Sequence, residues 1–352
     1  MSVTREAVME ALGQVPDPVG GGDLAGSGMV RALAVEGGAV RFVLEVPPER
    51  AAAVEPVRAE AEARVRALPG VETVSAVMTA HAAKAAPELK ARPAREGPKP
   101  VPGVDRVVAV ASGKGGVGKS TVAANLACAL ALEGRRVGLL DADVYGPSQP
   151  RMMGVSGRPA SPDGKIIEPK RAHGVAVMSM GLMLDEGQAV VWRGPMLMSA
   201  LQQMMLQVAW GELDVLVVDL PPGTGDVQMT LSQRFAVEGA VIVSTPQDVA
   251  LIDARKAVDA FAKLGVPILG LVENMSTHIC SACGHEEHVF GHGGVAEEAE
   301  RMGVPLLAEI PLHIDLRRAS DGGTPIVAGA PDSPRAAAFR TLARSLVGAG
   351  RA

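Results

Sequence analysis

Beyond about residue 105 the chain alternates short, nearly uninterrupted apolar runs with longer stretches whose apolar residues recur every three or four positions. The runs read RVVAVAS, RRVGLLDAD, VAVMSMG, DVLVVDLPP, AVIVSTP, PILGLVENM and PLLAEIPL. Strands that are apolar on both faces and separated by helices predict an α/β fold, a mostly parallel sheet with helices on both faces. Residues 1–80 follow another pattern and predict a small α+β domain. Ser2 and Thr4 suit the cap of a first helix, and MVRALAVEGGAVRFVLEV splits at Gly37-Gly38 into two strands of a hairpin. Val54, Val57, Ala61, Val65 and Leu68 fall at helical steps and predict an amphipathic helix from Glu55 to Ala67, after which GVETVSAVMT supplies a third strand. Between the two parts, residues 81–104 are rich in Pro and Ala and poor in large apolar side chains, as in a linker. The predicted organisation is therefore 1–80, a linker at 81–104, and 105–352.

Composition narrows the function classes. Hydrophobic residues make up 47% of the 352 residues but aromatics only 2%, so Val, Leu, Ala and Met must build the core. The net charge of -5, with no basic run interleaved with aromatics, argues against a nucleic-acid surface. No apolar stretch approaches the ~20 residues of a bilayer span, and the charged N-terminus has no signal-like apolar core, so the expectation is a cytoplasmic protein without membrane contact. Three cysteines, an odd number, do not suit a secreted disulfide framework.

The first apolar run of the larger part leads into SGKGGVGKST, where Gly113 to Ser120 fit G-x-x-x-x-G-K-[ST]. Such a loop folds backbone amides around phosphate oxygens, and glycine is needed where a Cβ would clash. Gly113, Lys114, Gly115, Gly116, Val117, Gly118, Lys119, Ser120 and Thr121 are the candidate nucleotide-binding residues. Lys119 is expected at the β and γ phosphates and the Ser120 hydroxyl on Mg²⁺. Lys114 is either a solvated surface lysine or a second phosphate contact.

KGGVGKST as a whole resembles the deviant Walker A loop of the SIMIBI class of P-loop ATPases, which includes MinD, ParA and Mrp relatives. The resemblance implies a dimer in which Lys114 reaches the partner subunit's ATP. Asp141 and Asp143 in GLLDADVYGPS, and Asp219 in LVVDLPPGTGD, close apolar strands, and acidic residues at such ends face the ligand crevice of a parallel sheet. Asp219 is expected to act on Mg²⁺ through water, Asp141 to be a second acid on the metal side, and Asp143 to position the attacking water. Taken singly, each aspartate also fits a turn cap. Gly223 is expected to offer its amide to the γ phosphate. Asn274 resembles the adenine-contacting Asn of the class.

The stretch STHICSACGHEEH holds Cys280 and Cys283 at C-x-x-C spacing. Two thiolates are half a ligand set, and the residues alone leave open an iron-sulfur site, a zinc site completed by His278, His285, His288 or His292, and a redox pair. DLPPGTGDVQMTLSQ, DADVYGPSQPRMMG and VENMSTHICSACGHEEHVFGHGG, with the phosphate loop, resemble the Mrp/ApbC iron-sulfur cluster carriers over about Val107 to Leu346. That resemblance implies an ATP-hydrolysing homodimer that holds a [4Fe-4S] cluster on Cys280 and Cys283 of both subunits and exchanges it with cluster donors and apoproteins. The alternatives are a MinD/ParA-like positioning ATPase and a nucleotide-binding protein with structural zinc. The N-terminal part resembles the small iron-sulfur assembly domain that often precedes this ATPase. Members commonly carry a Cys after the second strand, whereas this chain has none before Cys128, so docking of targets is the expectation for it. Cys128, the Met-rich PMLMSALQQMMLQVAW and the C-terminal RAAAFRTLARSLVGAGRA are expected to serve packing.

Overall fold

The computed structural model describes residues 3–18, 21–46, 51–80, 97–184 and 194–352. The chain divides into two compact units, Met1–Arg95 and Glu96–Ala352.

In the first unit α1 (Arg5–Leu12) is followed by β1 (Val30–Glu36), β2 (Ala39–Val46), α2 (Ala51–Arg66) and β3 (Thr73–Ala80). Thr4 caps α1, its side chain accepting a bond from the Ala7 amide at 3.3 Å, whereas Ser2 lies outside the described residues. Gly37 and Gly38 have φ of +54° and +91°, and two consecutive left-handed residues form the tight turn that joins β1 and β2 antiparallel. β3 returns parallel to β2. α2 begins four residues before the predicted Glu55, because Ala51 to Ala53 carry no periodic signal yet are the best helix formers. Val8, Leu12, Phe42, Leu44, Ala61 and Val65 form the core.

The second unit runs β4 (Val104–Ala111), α3 (Lys119–Leu132), β5 (Val137–Asp141), α4 (Gln149–Met152), β6 (Lys170–Ala172), β7 (Val175–Ser179), α5 (Gly194–Leu206), β8 (Leu213–Asp219), α6 (Asp226–Arg234), β9 (Gly239–Ser244), α7 (Asp248–Lys263), β10 (Ile268–Ile279), β11 (Glu286–Glu287), α8 (Gly294–Met302), β12 (Leu306–Leu312), α9 (Ile314–Asp321), α10 (Ile326–Gly329) and α11 (Pro334–Gly348). Among the described residues the sheet has nine strands in the order β11-β10-β9-β4-β8-β5-β7-β6, with β12 also paired to β10. It is parallel except for the two short edge strands β6 and β11. Alternate residues of β4 show why both faces need cover: Val108 and Val110 pack with Leu126, Leu130, Phe339 and Leu342, while Val107, Ala109 and Ala111 pack with Leu201, Met204, Leu231 and Phe261.

Of the segment expected as a linker, residues 81–96 lie outside the described residues, and the rest packs with the second unit. The Lys99 amide donates to Arg234 O at 2.9 Å, and Val101 is buried. α11 lies in the core through Phe339, Leu342 and Leu346, and Cys128 is buried in α3. On α5, Leu197, Leu201, Met204 and Met205 are core, while Met196 and Met198 are exposed. No described helix is long and apolar enough to cross a membrane.

Candidate functional site

The loop between β4 and α3 lies at the carboxyl edge of the sheet, where β4, β8 and β5 are neighbours. Gly116 and Gly118 hold φ of +82° and +81°, where an L side chain is strained. Gly113 is required for another reason: a Cβ there would lie 2.0 Å from the Asp253 carbonyl oxygen of α7. Gly118 is the N-cap of α3 and makes no side-chain cap bond, so the first-turn amides face the loop opening. That opening is a cavity of about 270 Å³ whose lining includes Lys114, Gly116, Lys119, Ser120, Thr121 and Asp143. Gly115 also lines it, and Val117 is buried beneath. Lys114 is exposed, and its ammonium makes no ion pair or hydrogen bond to the described residues.

Under the loop sit two buried carboxylates. Asp141 and Asp219 are register partners on β5 and β8. Asp219 Oδ1 is bonded to Lys119 Nζ, which also reaches Ser120 Oγ at 3.2 Å. Asp219 Oδ2 accepts from Gln149 Nε2 at 2.8 Å, and the same amide donates to Ser120 O at 2.9 Å. Asp141 accepts from the amides of Asp143, Ser148 and Gln149 and from Ser179 Oγ, at 3.0 to 3.2 Å. Burial, and then the charge of Asp219, nevertheless push its carboxyl up to about 7. Its oxygens are thus occupied in shaping the loop from Asp143 to Gln149.

Gln149, fully buried, is the functional residue that motif reading overlooked. Its Oε1 and the Ser148 Oγ are buried without a partner among the described residues, close to both carboxylates. The opening is lined by Ser120, Ser148 and Asp143, and Asp219 lies behind Lys119; the donors of this set are all oxygen, which fits a hydrated Mg²⁺.

Asp143 is half-buried, and burial raises its carboxyl above the usual range. It lines both the phosphate opening and a neighbouring 590 Å³ cavity bounded by Tyr145, Pro222 and Asp226. Gly223, with φ +90°, donates its amide to Ser112 O at 2.9 Å, so presenting it to a phosphate requires that bond to exchange. Gln228 Nε2 holds Pro221 O at 2.7 Å and Gly223 O at 2.9 Å, fixing the same turn from the other side. Asn274 sits behind the phosphate loop, its Nδ2 donating to Val117 O at 2.8 Å.

The cysteines lie at the far end of β10. His278 pairs with Glu287 and Ile279 with Glu286, closing a hairpin in which the Cys280 amide donates to His285 O at 2.9 Å. Both thiols are free; Cys280 is half-exposed and Cys283 exposed. The Ala282 and Cys283 amides point at the Cys280 sulfur and hold its pKa below the ordinary thiol value, with a further bond from the Cys283 side chain. His278 Nδ1 is engaged with Glu287 at 3.0 Å and His288 Nδ1 with Ser276 O at 3.1 Å. Among the described residues no group of three or more His, Cys, Asp or Glu is arranged to hold a metal ion, so the two sulfurs stand as a half set.

Residues 103–347 match the family described as NUBPL iron-transfer P-loop NTPase. The chain belongs to this family. Residues 5–76 match the family of iron-sulfur cluster assembly proteins, so this P-loop NTPase carries an assembly-type domain ahead of it. An iron-sulfur cluster carrier protein of Synechocystis sp. is 44% identical over 351 residues, covering 98% of both chains. Among solved structures, a nucleotide-binding protein from Archaeoglobus fulgidus in complex with ADP superposes with a TM-score of 0.55 at 39% identity, covering 62% of this chain and 87% of its own. The cell division ATPase MinD of Pyrococcus furiosus gives 0.53 at 27% identity, over 70% of this chain and 99% of its own. The NUBPL-family NTPase therefore has the α/β P-loop fold that the apolar runs predict.

Proposed function

We propose that this NTPase is a cytoplasmic, ATP-hydrolysing carrier that grips a [4Fe-4S] cluster between two copies of the chain and delivers it to apoproteins. One observation carries the reading: a nucleotide-binding chain presents two cysteines on an exposed hairpin, with no further ligand arranged beside them among the described residues. Four thiolates are the usual complement of such a cluster, and a two-fold axis through the hairpins supplies them. A carrier also has to release its cargo, which a ligand set split between subunits permits and a closed cage resists.

In the proposed hydrolysis the amides from Gly113 to Thr121 and the Lys119 ammonium take the β and γ phosphates of ATP, so Lys119 leaves Asp219 on binding. Ser120 and, through water, Asp219 would hold Mg²⁺, which supplies positive charge to the phosphates. Asp141 keeps the Asp143 to Gln149 turn in place, and Asp143 orients the attacking water. Lys114, unpaired within the described residues of its own chain, extends to the second copy's nucleotide. Gly223 exchanges its bond to Ser112 for one to the γ phosphate, and Asn274 borders the adenine. The family relationship and the likeness to an ADP-bound structure support nucleotide use, and the name of the Synechocystis relative supports the cargo. A membrane-positioning role is less well supported, since α11 spends its apolar face on the core.

Anaerobic reconstitution with iron and sulfide tests the proposal. Uptake of one cluster per dimer, abolished by Cys280→Ser or Cys283→Ser, is expected. A monomer that keeps its iron in the presence of ATP would refute it.

A further inference from the structure

Four consecutive residues of β10 connect the nucleotide loop, the start of α8 and the segment that follows the cysteines. Glu273, fully buried, accepts the Val295 amide at 3.0 Å and so holds the first turn of α8, which the histidine loop enters. Asn274 holds Val117 of the phosphate loop, and its Nδ2 lies 2.1 Å from where a Cβ on Gly118 would sit. The Met275 Cε lies 3.8 Å from the same point, and Met275 itself adopts φ +58°, a left-handed conformation that a non-glycine residue rarely keeps. Ser276 O accepts His288 Nδ1 from the segment behind Cys283. Pairing with β9 stops at Glu273, and pairing with β12 shifts register between Asn274 and His278. The strand is therefore paired in the sheet up to Asn274, breaks register at Met275, and pairs again with β11 and β12 at His278, two residues before Cys280.

We infer that Asn274, Met275 and His288 are positioning residues that transmit the state of the phosphate loop to the cysteine hairpin, with Met275 as the hinge. Strained backbone of this kind persists where surrounding contacts hold it, and here it is held between the bond of Asn274 to the phosphate loop and the pairing of His278 with β11 and β12. A loop that closes on a phosphate moves Val117 and Gly118; Asn274 is bonded to the first, and the Met275 methyl lies beside the second. The inference deepens the carrier reading and rests on it for its purpose, but its test needs no cluster.

The test uses the full cluster-free chain under reducing conditions. Iodoacetamide alkylation of Cys280 and Cys283 is followed by mass spectrometry at saturating ADP or a non-hydrolysable ATP analogue, with occupancy checked by a fluorescent nucleotide. In the parent the two nucleotides should give rates differing about fivefold, the low end of ordinary coupling between sites. Met275→Gly removes both the side chain on Gly118 and the strain, and should bring the ratio to near one. Met275→Leu keeps an apolar side chain on Gly118 and should retain the ratio. His288→Ala, an exposed position outside the nucleotide site, cuts the far end of the relay and should lower the ratio at unchanged occupancy. A parent ratio of one, or a parent-like ratio in both Met275→Gly and His288→Ala, would overturn the inference. A chain that shows the ratio yet takes up no cluster would instead overturn the carrier reading and leave the coupling standing.

Discussion

The buried pair of Lys119 and Asp219 allows a quantitative prediction for Lys119→Met in the nucleotide-free chain. Asp219 is fully buried and Lys119 is its only cationic partner among the described residues, while Asp141 sits beside it on the next strand. Removing one member of a buried pair strands the other charge and ordinarily costs about 3–5 kcal/mol. The cost has a ceiling, because a carboxylate held in an intolerable place takes up a proton instead. From the ordinary Asp range near 3.9, at 1.36 kcal/mol per pH unit, that escape costs about 4 kcal/mol at pH 7 and about 1.5 kcal/mol at pH 5. Gln149 still donates to Asp219, so the expected loss lies between about 3 and 4 kcal/mol at pH 7 and shrinks to about 1.5 at pH 5. Urea unfolding followed by tryptophan fluorescence, to which the buried Trp210 of the second unit contributes, measures it. Lys119→Met with Asp219→Asn should recover most of the loss at pH 7. A cost that does not shrink between pH 7 and pH 5, or no recovery in the double variant, would refute the electrostatic account.

Gly113→Ala drives a Cβ into the Asp253 carbonyl, a contact neither backbone can relax without moving α7, and should cost about 3 kcal/mol, the upper range for overpacking. Gly116→Ala meets open space and suffers only its positive φ, about 1 kcal/mol, so thermal melts should rank the two in that order. Glu298 is held below the usual Glu range by Arg255, with Arg301 adding to it, so its folded pKa is depressed. Its contribution to stability is present above the ordinary value of 4.5 and is lost as pH falls through the depressed value. Glu298→Gln should lower the melting temperature at pH 7, and the difference from the parent should shrink as pH falls below 4.5 and vanish below the depressed value. Burial pushes the Cys128 thiol up to about 12, whereas the amides of its hairpin lower that of Cys280. Iodoacetamide at neutral pH should therefore mark Cys280 and leave Cys128 unmodified in the native chain, as peptide mapping will report.

What the sequence disclosed follows from how local each constraint is. The phosphate loop is legible because its residue types recur at fixed spacing within eight residues, even though Gly113 answers to the distant Asp253 carbonyl, and the seven apolar runs are legible because a strand covered on both faces has no room for polar residues. β6 and β11 were missed, being three and two residues long with no apolar run to mark them. The predicted strand PILGLVENM runs on through a left-handed Met275 to Ile279, since pairing with β11 and β12 holds the extension. Gln149 was invisible because its partner Asp219 is 70 residues away, and nothing in DADVYGPSQ distinguishes a buried amide from a solvated one. Glu273 did leave a trace: an acid inside the run LGLVEN cannot be solvated where its neighbours are core, so it has to find a donor, and the Val295 amide is that donor.

The close approach of Gly113 to α7 restricts how relatives of this protein can diverge. Its neighbour there is a main-chain oxygen, which every amino acid possesses, so residue 253 is free to change identity without disturbing the first glycine. The path of that helix is not free in the same way. One residue inserted or deleted between β9 and the second turn of α7 would rotate a different atom into the gap, and the alteration would be felt at the nucleotide rather than where it was made.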